Sequence, residues 1–378
     1  MNKISRFIVF VIVISQFVIS CQNRQSFIHK GVKQFTSYHH KLDSVLISAD
    51  SISWDGNFFA TKDYIGFADK YYCRIFKFDK NSGSLIGSML TKGHAKTEIP
   101  SFMYAYPFAN DEKRICIIDA SLFMYIYNTE SDTIEYRGRI DFAKDEIQKD
   151  DFSSPSVYVV MSMTDCGMDA YINDNHEVIL PLSIVDRHLS RVDENRYKEG
   201  RIWGRYSLDG NKFVELFGSY PHYYLDNMAP NFENFRSVPC GEEYMVCHTV
   251  DSLIYVYDND MKSVLYTFGY EFQNADRSYS YQADNEYMSD DIKRVSLNSS
   301  LVCTNKYIMR SCFHKIMDDA QSYTSLQFYD RKTYDLVAEE RIQGIIQFFS
   351  GDNNKFYGVN IKPNSNDKYY IYTFEIYN

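Results

Sequence analysis

Residues Ile254 to Gly269 read IYVYDNDMKSVLYTFG. An apolar run of β-branched and aromatic residues ends at Tyr257-Asp258, a polar turn follows, and a second apolar run begins at Val264. Residues of this type suit a pleated, half-buried surface, so both runs read as strands. The Asp258 carboxylate can accept hydrogen bonds from amides two residues on, which starts a turn between them. The segment is therefore a β-hairpin.

The same design recurs at Arg74 to Ile86 around Phe78-Asp79, at Phe123 to Tyr136 around Tyr127-Asn128, at Ile202 to Phe217 around Leu208-Asp209, and at Ser325 to Ile342 around Tyr329-Asp330. Gly83 and Gly210 are expected to supply permissive dihedrals in two of these turns. Successive hairpins lie 49, 81, 49 and 72 residues apart, so two spacings are regular and two contain insertions. Further strand-like runs precede the hairpins, for example Ser53 to Phe67, Arg114 to Ala120 and Tyr244 to Thr249. Four strands per repeat make a blade, and a small sheet buries both faces only by stacking on its neighbours. The 33 Tyr and 27 Phe supply the wedges between them.

The expected fold is all-β, a six-bladed β-propeller. The number six comes from the end of the chain. Lys368 to Tyr377 reads as a last strand with Phe374-Glu375 at the hairpin position, and no return strand follows. An N-terminal strand, Leu42 to Ser48, is expected to close the ring and to remove an exposed sheet edge. Five blades is the alternative if the long middle segment is an insertion. Polar stretches at Asp141 to Ser154, Asp186 to Gly200 and Tyr270 to Lys293 are expected as insertions, either loops or short helices.

At the other end, Lys3 and Arg6 precede an apolar run from Phe7 to Ile19, and Ser20-Cys21 follows. A run of about 13 residues is short for a bilayer-spanning helix and suits the apolar region of a signal peptide. A small residue directly before a cysteine suits lipoprotein cleavage. Residues 1–20 are thus expected to be a signal peptide, Cys21 the acylated residue, 21–40 a polar tether, and 41–378 the propeller. The absence of an acidic cluster after Cys21 points to an outer-membrane anchor facing the periplasm as the expected address in the cell envelope.

Without residues 1–20 the chain keeps 38 Lys and Arg against 50 Asp and Glu. Such a charge repels phosphate backbones, so nucleic acid is not an expected partner. Seven cysteines besides Cys21 show no metal-ligand spacing, and most sit in apolar runs as small hydrophobes. Two bridges are open by spacing, Cys240 with Cys247 and Cys303 with Cys312.

With these parts assembled, the chain resembles the TolB-like six-bladed propeller lipoproteins of Bacteroidetes. The residues that carry the resemblance are Cys21 in its lipobox, FKFDKNSGSLIGSMLTKG from Phe76 to Gly93, LFGSYP from Leu216 to Pro221, and the Ile254 to Gly269 hairpin. Of the G-x-G-P-x-E that often follows the first hairpin in such families, only Gly93 and Glu98 remain. The resemblance implies an architecture and no agreed activity.

No nucleophile elbow, phosphate loop, metalloprotease helix or dinucleotide fingerprint is present. Tyr220, His222, Tyr223 and Tyr224 form an aromatic-polar loop able to stack on a sugar or peptide. The alternative for these residues is packing at a blade junction. Asp165, Asp169 and Asp174 offer oxygen ligands of the kind calcium takes, though their spacing does not match a calcium loop, and no cofactor is expected. The expected function is a binding or scaffolding module for an envelope protein, peptide or glycan. A periplasmic hydrolase or lyase at the mouth of the central channel is the alternative.

Overall fold

The computed structural model describes residues 28–378 apart from 36–37, 49–51, 102, 141–157, 161–168, 186–193, 228, 230–231, 278–293, 317, 319, 362–367 and 378. Two N-terminal strands, β1 (Ile28–His29) and β2 (His39–Leu46), precede the repeats. Blade 1 is β3 (Gly56–Ala60), β4 (Ile65–Asp69), β5 (Arg74–Phe78) and β6 (Leu85–Met89), paired antiparallel in that order. Blade 2 is β7 (Tyr104–Phe108), β8 (Asp111–Ile118), β9 (Phe123–Asn128) and β10 (Thr133–Arg139). In blade 3 two short pieces, β11 (Tyr158–Val160) and β12 (Tyr171–Ile172), both pair with β13 (Glu177–Ile184), which leads to β14 (Trp203–Ser207) and β15 (Lys212–Phe217).

Blade 4 is β16 (Phe235–Cys240), β17 (Glu243–His248), β18 (Ile254–Tyr257) and β19 (Val264–Phe268). Blade 5 is β20 (Leu297–Cys303), β21 (Tyr307–His314), β22 (Tyr323–Asp330) and β23 (Leu336–Gln343). Blade 6 has β24 (Ile346–Asp352), β25 (Lys355–Asn360) and β26 (Tyr370–Tyr377), and its outer strand is β2. The fold is a six-bladed β-propeller with a ring closed from the N-terminus.

The five hairpins of the sequence are the outer pairs of blades 1 to 5. Their turns form for the expected reason. Asp79 accepts the amides of Asn81 and Ser82 at 3.0 and 2.7 Å, and Asp330 those of Lys332 and Thr333 at 2.8 and 3.0 Å. Asn128 acts alike, whereas Asp258 accepts the amide of Lys262, four residues on, at 2.9 Å. Blade 3 differs: Ser207 Oγ accepts the Gly210 amide at 3.1 Å, and the left-handed residue is Asn211, φ 50°, rather than Gly210. Gly83 does take a left-handed φ of 68°, and a Cβ there would lie 2.1 Å from the Leu46 carbonyl oxygen. That close approach lets β2 end against the first blade's turn.

Ring closure is eight residues long, from His39 opposite Tyr377 to Leu46 opposite Tyr370. Phe374 and Glu375 sit in mid-strand opposite Leu42 and Lys41, not at a turn as the sequence suggested, because the strand runs on to Tyr377. Aromatic side chains fill the wedges. Trp54 stacks on Tyr369 at 4.8 Å between blades 1 and 6, Trp203 meets Phe235 at 4.7 Å between blades 3 and 4, and Phe328 stacks on Phe374 at 5.2 Å between blades 5 and 6.

Much of the segment expected as a tether lies on the ring. β1 pairs in parallel with β19 on the rim of blade 4, Lys33 bridges Leu336 on blade 5, and Tyr38 donates to Glu340 before β2 begins. Residues 28–35 and 38–46 thus strap three blades, 4, 5 and 6. Cys21 and residues 1–27 lie outside the described residues.

The disulfide differs from both spacings that seemed open. It joins Cys240 to Cys303, with Cα atoms 5.7 Å apart, and links the inner strands of blades 4 and 5. Cys247 lies opposite Arg236, at the far end of the β16–β17 pair from Cys240, about 13 Å away at the rise of a strand. Cys312 lies opposite Asn298, equally remote from Cys303. Cys73, Cys116, Cys247 and Cys312 are free and buried, as small hydrophobes. Cys166 is outside the described residues.

Candidate functional site

The inner strands β3, β7, β16, β20 and β24, with Asp169 before β12, surround a central cavity of about 280 Å³. Alternation along these strands turns every second side chain inward. The lining is mixed: Phe59, Tyr106 and Phe348 are apolar, while Ser299, Ser350 and Gln347 offer hydrogen bonds. Its charged members are Glu112, Asp169 and Arg236. The Asp169 carboxylate accepts the Ser237 amide at 2.7 Å and faces Arg236 Nη1 at 3.5 Å, while Arg236 Nε donates to the Ser299 carbonyl at 3.1 Å. Burial raises the Asp169 pKa, with the guanidinium opposing it. The pair ties blade 3 to blade 4 and blade 4 to blade 5.

One face of the ring, here called upper, carries the turns between the second and third strands and the connections between blades. The long connections after β10, β13, β15 and β19 all leave and return on this face. Its turns repeat a buried aspartate at the end of the second strand. Asp69 accepts the Ser53 and Tyr72 amides, Asp119 those of Ser121 and Phe123 and the Tyr125 hydroxyl, and Asp251 the Leu253 amide and the Tyr255 hydroxyl. This repeat escaped the sequence reading, although an Asp at or just after the second strand of blades 1, 2 and 4 was its signal.

These turns hold apolar residues out to solvent. On blade 1, Tyr71 and Tyr72 are 64% and 43% exposed and meet edge to face at 4.9 Å. Lys92 Nζ donates to the Tyr71 carbonyl at 3.3 Å. On blade 2 the equivalent turn presents Leu122, 37% exposed.

The expected aromatic loop lies on this face, where it enters a short helix, α2 (His222–Asn227), and packs on another, α1 (Glu194–Glu199). Tyr220 and Tyr224 are buried, packed on Tyr197 at 5.3 and 5.8 Å, and Tyr224 donates to the Phe232 carbonyl. Tyr223 is half-buried, and exposed His222 meets Asp226 at 2.8 Å. Beneath them Arg196 and Glu233, both buried, form a two-pronged ion pair at 2.6 and 2.9 Å. Of the expected oxygen ligands, Asp169 is the channel carboxylate just described, Asp174 is exposed in the β12–β13 turn, and Asp165 lies outside the described residues. No group of three His, Cys, Asp or Glu side chains among the described residues is arranged to hold a metal.

Two histidines on the upper side are buried. His248 is ringed by Tyr224, Phe235 and Tyr255, and burial lowers its pKa to about 3. His314 accepts or donates at Ser296 Oγ, 2.8 Å away, and stacks on Tyr323 at 4.3 Å; burial first, then the Arg277 and Arg341 cations, lower its pKa to about 4. Both are neutral packing groups in the wedge regions.

No protein-family model and no curated protein sequence matches the chain. Solved structures do. The fold is similar to a member of the DUF4221 family from Bacteroides vulgatus, with a TM-score of 0.67 and 10% identity over 90% of this chain and 98% of that one. A provisionally named exported protein from Bacteroides fragilis has a TM-score of 0.55 and 12% identity, over 93% of this chain and all of that one. At such identities the likeness carries the fold alone.

Proposed function

We propose that this chain is a lipid-anchored propeller of the cell envelope, acylated at Cys21 on an outer membrane and facing the periplasm, that binds a protein, peptide or glycan partner through its upper face. The observation that carries the reading is the exposed Tyr71-Tyr72 pair beside Lys92, with Leu122 exposed on the equivalent turn of blade 2. Aromatic side chains offered to solvent on a rigid scaffold are the usual anchors of an interface, because they bury a large area for little lost freedom. The Cys240–Cys303 disulfide supports export, since such bonds persist in oxidising compartments. The signal-like residues 1–20 agree with it, as does the name of the Bacteroides fragilis neighbour. Kinship with the TolB-like lipoproteins belongs to the same proposal and is supported by the blade number and the Cys21 lipobox.

The test is a double variant, Tyr71→Ala with Tyr72→Ala, compared with wild type in cross-linked pull-downs from the native envelope and on glycan arrays. The expected outcome is loss of one specific ligand at unchanged melting temperature. Equal capture by both proteins would remove the upper face from the interaction.

A further inference from the structure

The strap decides how an anchored ring must sit. Seven residue steps separate Cys21 from Ile28, a reach of at most about 25 Å when fully extended. Ile28 and His29 are fixed to Tyr266 and Thr267 on the outer strand of blade 4, and the Lys30 amide donates to the Thr267 carbonyl at 2.8 Å. Blade 1 is diametrically opposite in a ring of six. Crossing two four-stranded blades takes roughly 29 Å at the usual strand spacing, before the channel is added. An acyl chain on Cys21 therefore holds the blade 4 rim near the bilayer, and the blade 1 rim is out of its reach.

The strap itself carries the chemistry of a membrane-facing edge. Val32 and Phe35 are 49% and 58% exposed, and Leu265 on the strand that β1 pairs with is 47% exposed. Lys30 and Lys33 alternate with them; Lys30 Nζ lies 3.4 Å over the Tyr266 ring and Lys33 Nζ 5.0 Å from that of Phe35. Interspersed apolar and cationic side chains of this kind suit a phospholipid interface, the rings and aliphatic groups dipping in and the ammonium groups meeting phosphates. Over the whole chain carboxylates outnumber Lys and Arg, 50 to 40, so the pair of lysines on this rim stands against an acidic background.

We infer that the protein stands edge-on to the membrane, with the strap rim of blades 4 and 5 against phospholipid and the blade 1 rim pointing away. This rests on the acylation of Cys21 proposed above. An edge-on ring leaves the upper face open to a partner approaching parallel to the bilayer, whereas a ring lying flat would cover one face.

The full-length acylated protein, carrying Cys166→Ser, is reconstituted into phosphatidylethanolamine and phosphatidylglycerol vesicles that contain a nitroxide lipid. A bimane label is placed through Leu265→Cys in one preparation and Ile86→Cys in another; the free cysteines Cys73, Cys116, Cys247 and Cys312 are buried and do not compete. The expected result is loss of fluorescence at Leu265→Cys and none at Ile86→Cys, with the loss reduced by Val32→Asp and Phe35→Asp. Vesicle-bound protein quenched equally at both positions, or at neither, would overturn the orientation and leave the anchor standing. Protein that fails to float with the vesicles would overturn both.

Discussion

Replacing Cys240 and Cys303 together with serine removes a cross-link that closes a loop over a sequence separation of 63 residues. In the chain-entropy account, a loop of that size withdraws about 14 cal/mol/K from the unfolded ensemble, which is about 4 kcal/mol at 25 °C. The native state also loses a staple between the inner strands of blades 4 and 5, the same two strands that the Arg236 bond to the Ser299 carbonyl joins at their other end. Urea unfolding of the oxidised wild type against the double variant, followed by far-UV circular dichroism, measures the difference. A shift of the midpoint equivalent to about 4 kcal/mol, with a slope that rises as the unlinked chain expands, is the expected outcome. A loss below about 1 kcal/mol would refute the reasoning, because a loop this long must contribute more if the bond is formed. Peptide mapping that found Cys240 joined to Cys247 would refute the topology directly. Serine at Cys247 and Cys312 should leave the Cys240–Cys303 peptide intact.

Acid should unfold the protein earlier than carboxylate protonation alone would. The folded pKa values of His248 and His314 lie at about 3 and 4, below the ordinary 6.5, so the unfolded chain binds more protons throughout that window and stability rises with pH across it. At pH 4.5 each ring contributes roughly 2.7 kcal/mol of destabilisation relative to neutral pH, on the order of 5 kcal/mol together. Asp169 and Asp251, raised by burial, act in the opposite sense from the ordinary carboxylate value upward and offset part of that loss. Denaturant midpoints at pH 7.5 and 4.5 check this, and His248→Phe should shrink the difference; equal midpoints in the wild type would discard it. The buried Arg196–Glu233 pair makes a further prediction. Arg196→Met leaves a buried carboxylate uncompensated and should cost about 3 kcal/mol or more, while adding Glu233→Leu should restore much of the loss. A double variant no more stable than the single would contradict the pairing.

The hairpins were legible because the information is local. A turn such as Phe78-Asp79 is written in one side chain and the amides two and three residues on, the same chemistry recurs in blades 2 and 5, and in blade 4 Asp258 reaches the Lys262 amide four residues on. Blade 3 hid its turn residue because Ser207 does the work of Asp209, with Asn211 rather than Gly210 in the left-handed position. Ring closure was legible too, since a last strand without a return strand requires a donor, and the N-terminus had one. The length of the strap was not. Residues 28–35 carry little strand pattern of their own and are held by the rims of blades 4 and 5.

Local sequence thus determined the fold class, the blade number and the closing strand, for strand periodicity and turn chemistry act within a few residues of themselves. Tertiary structure alone decided the rest. It sets Cys240 beside Cys303, brings Asp169 to Arg236 across 67 positions, buries Tyr220 and Tyr224, and leaves Tyr71 and Tyr72 in solvent. Each of these depends on how one blade is set against the next, and that is fixed by side-chain packing in wedges whose two walls lie far apart in the chain.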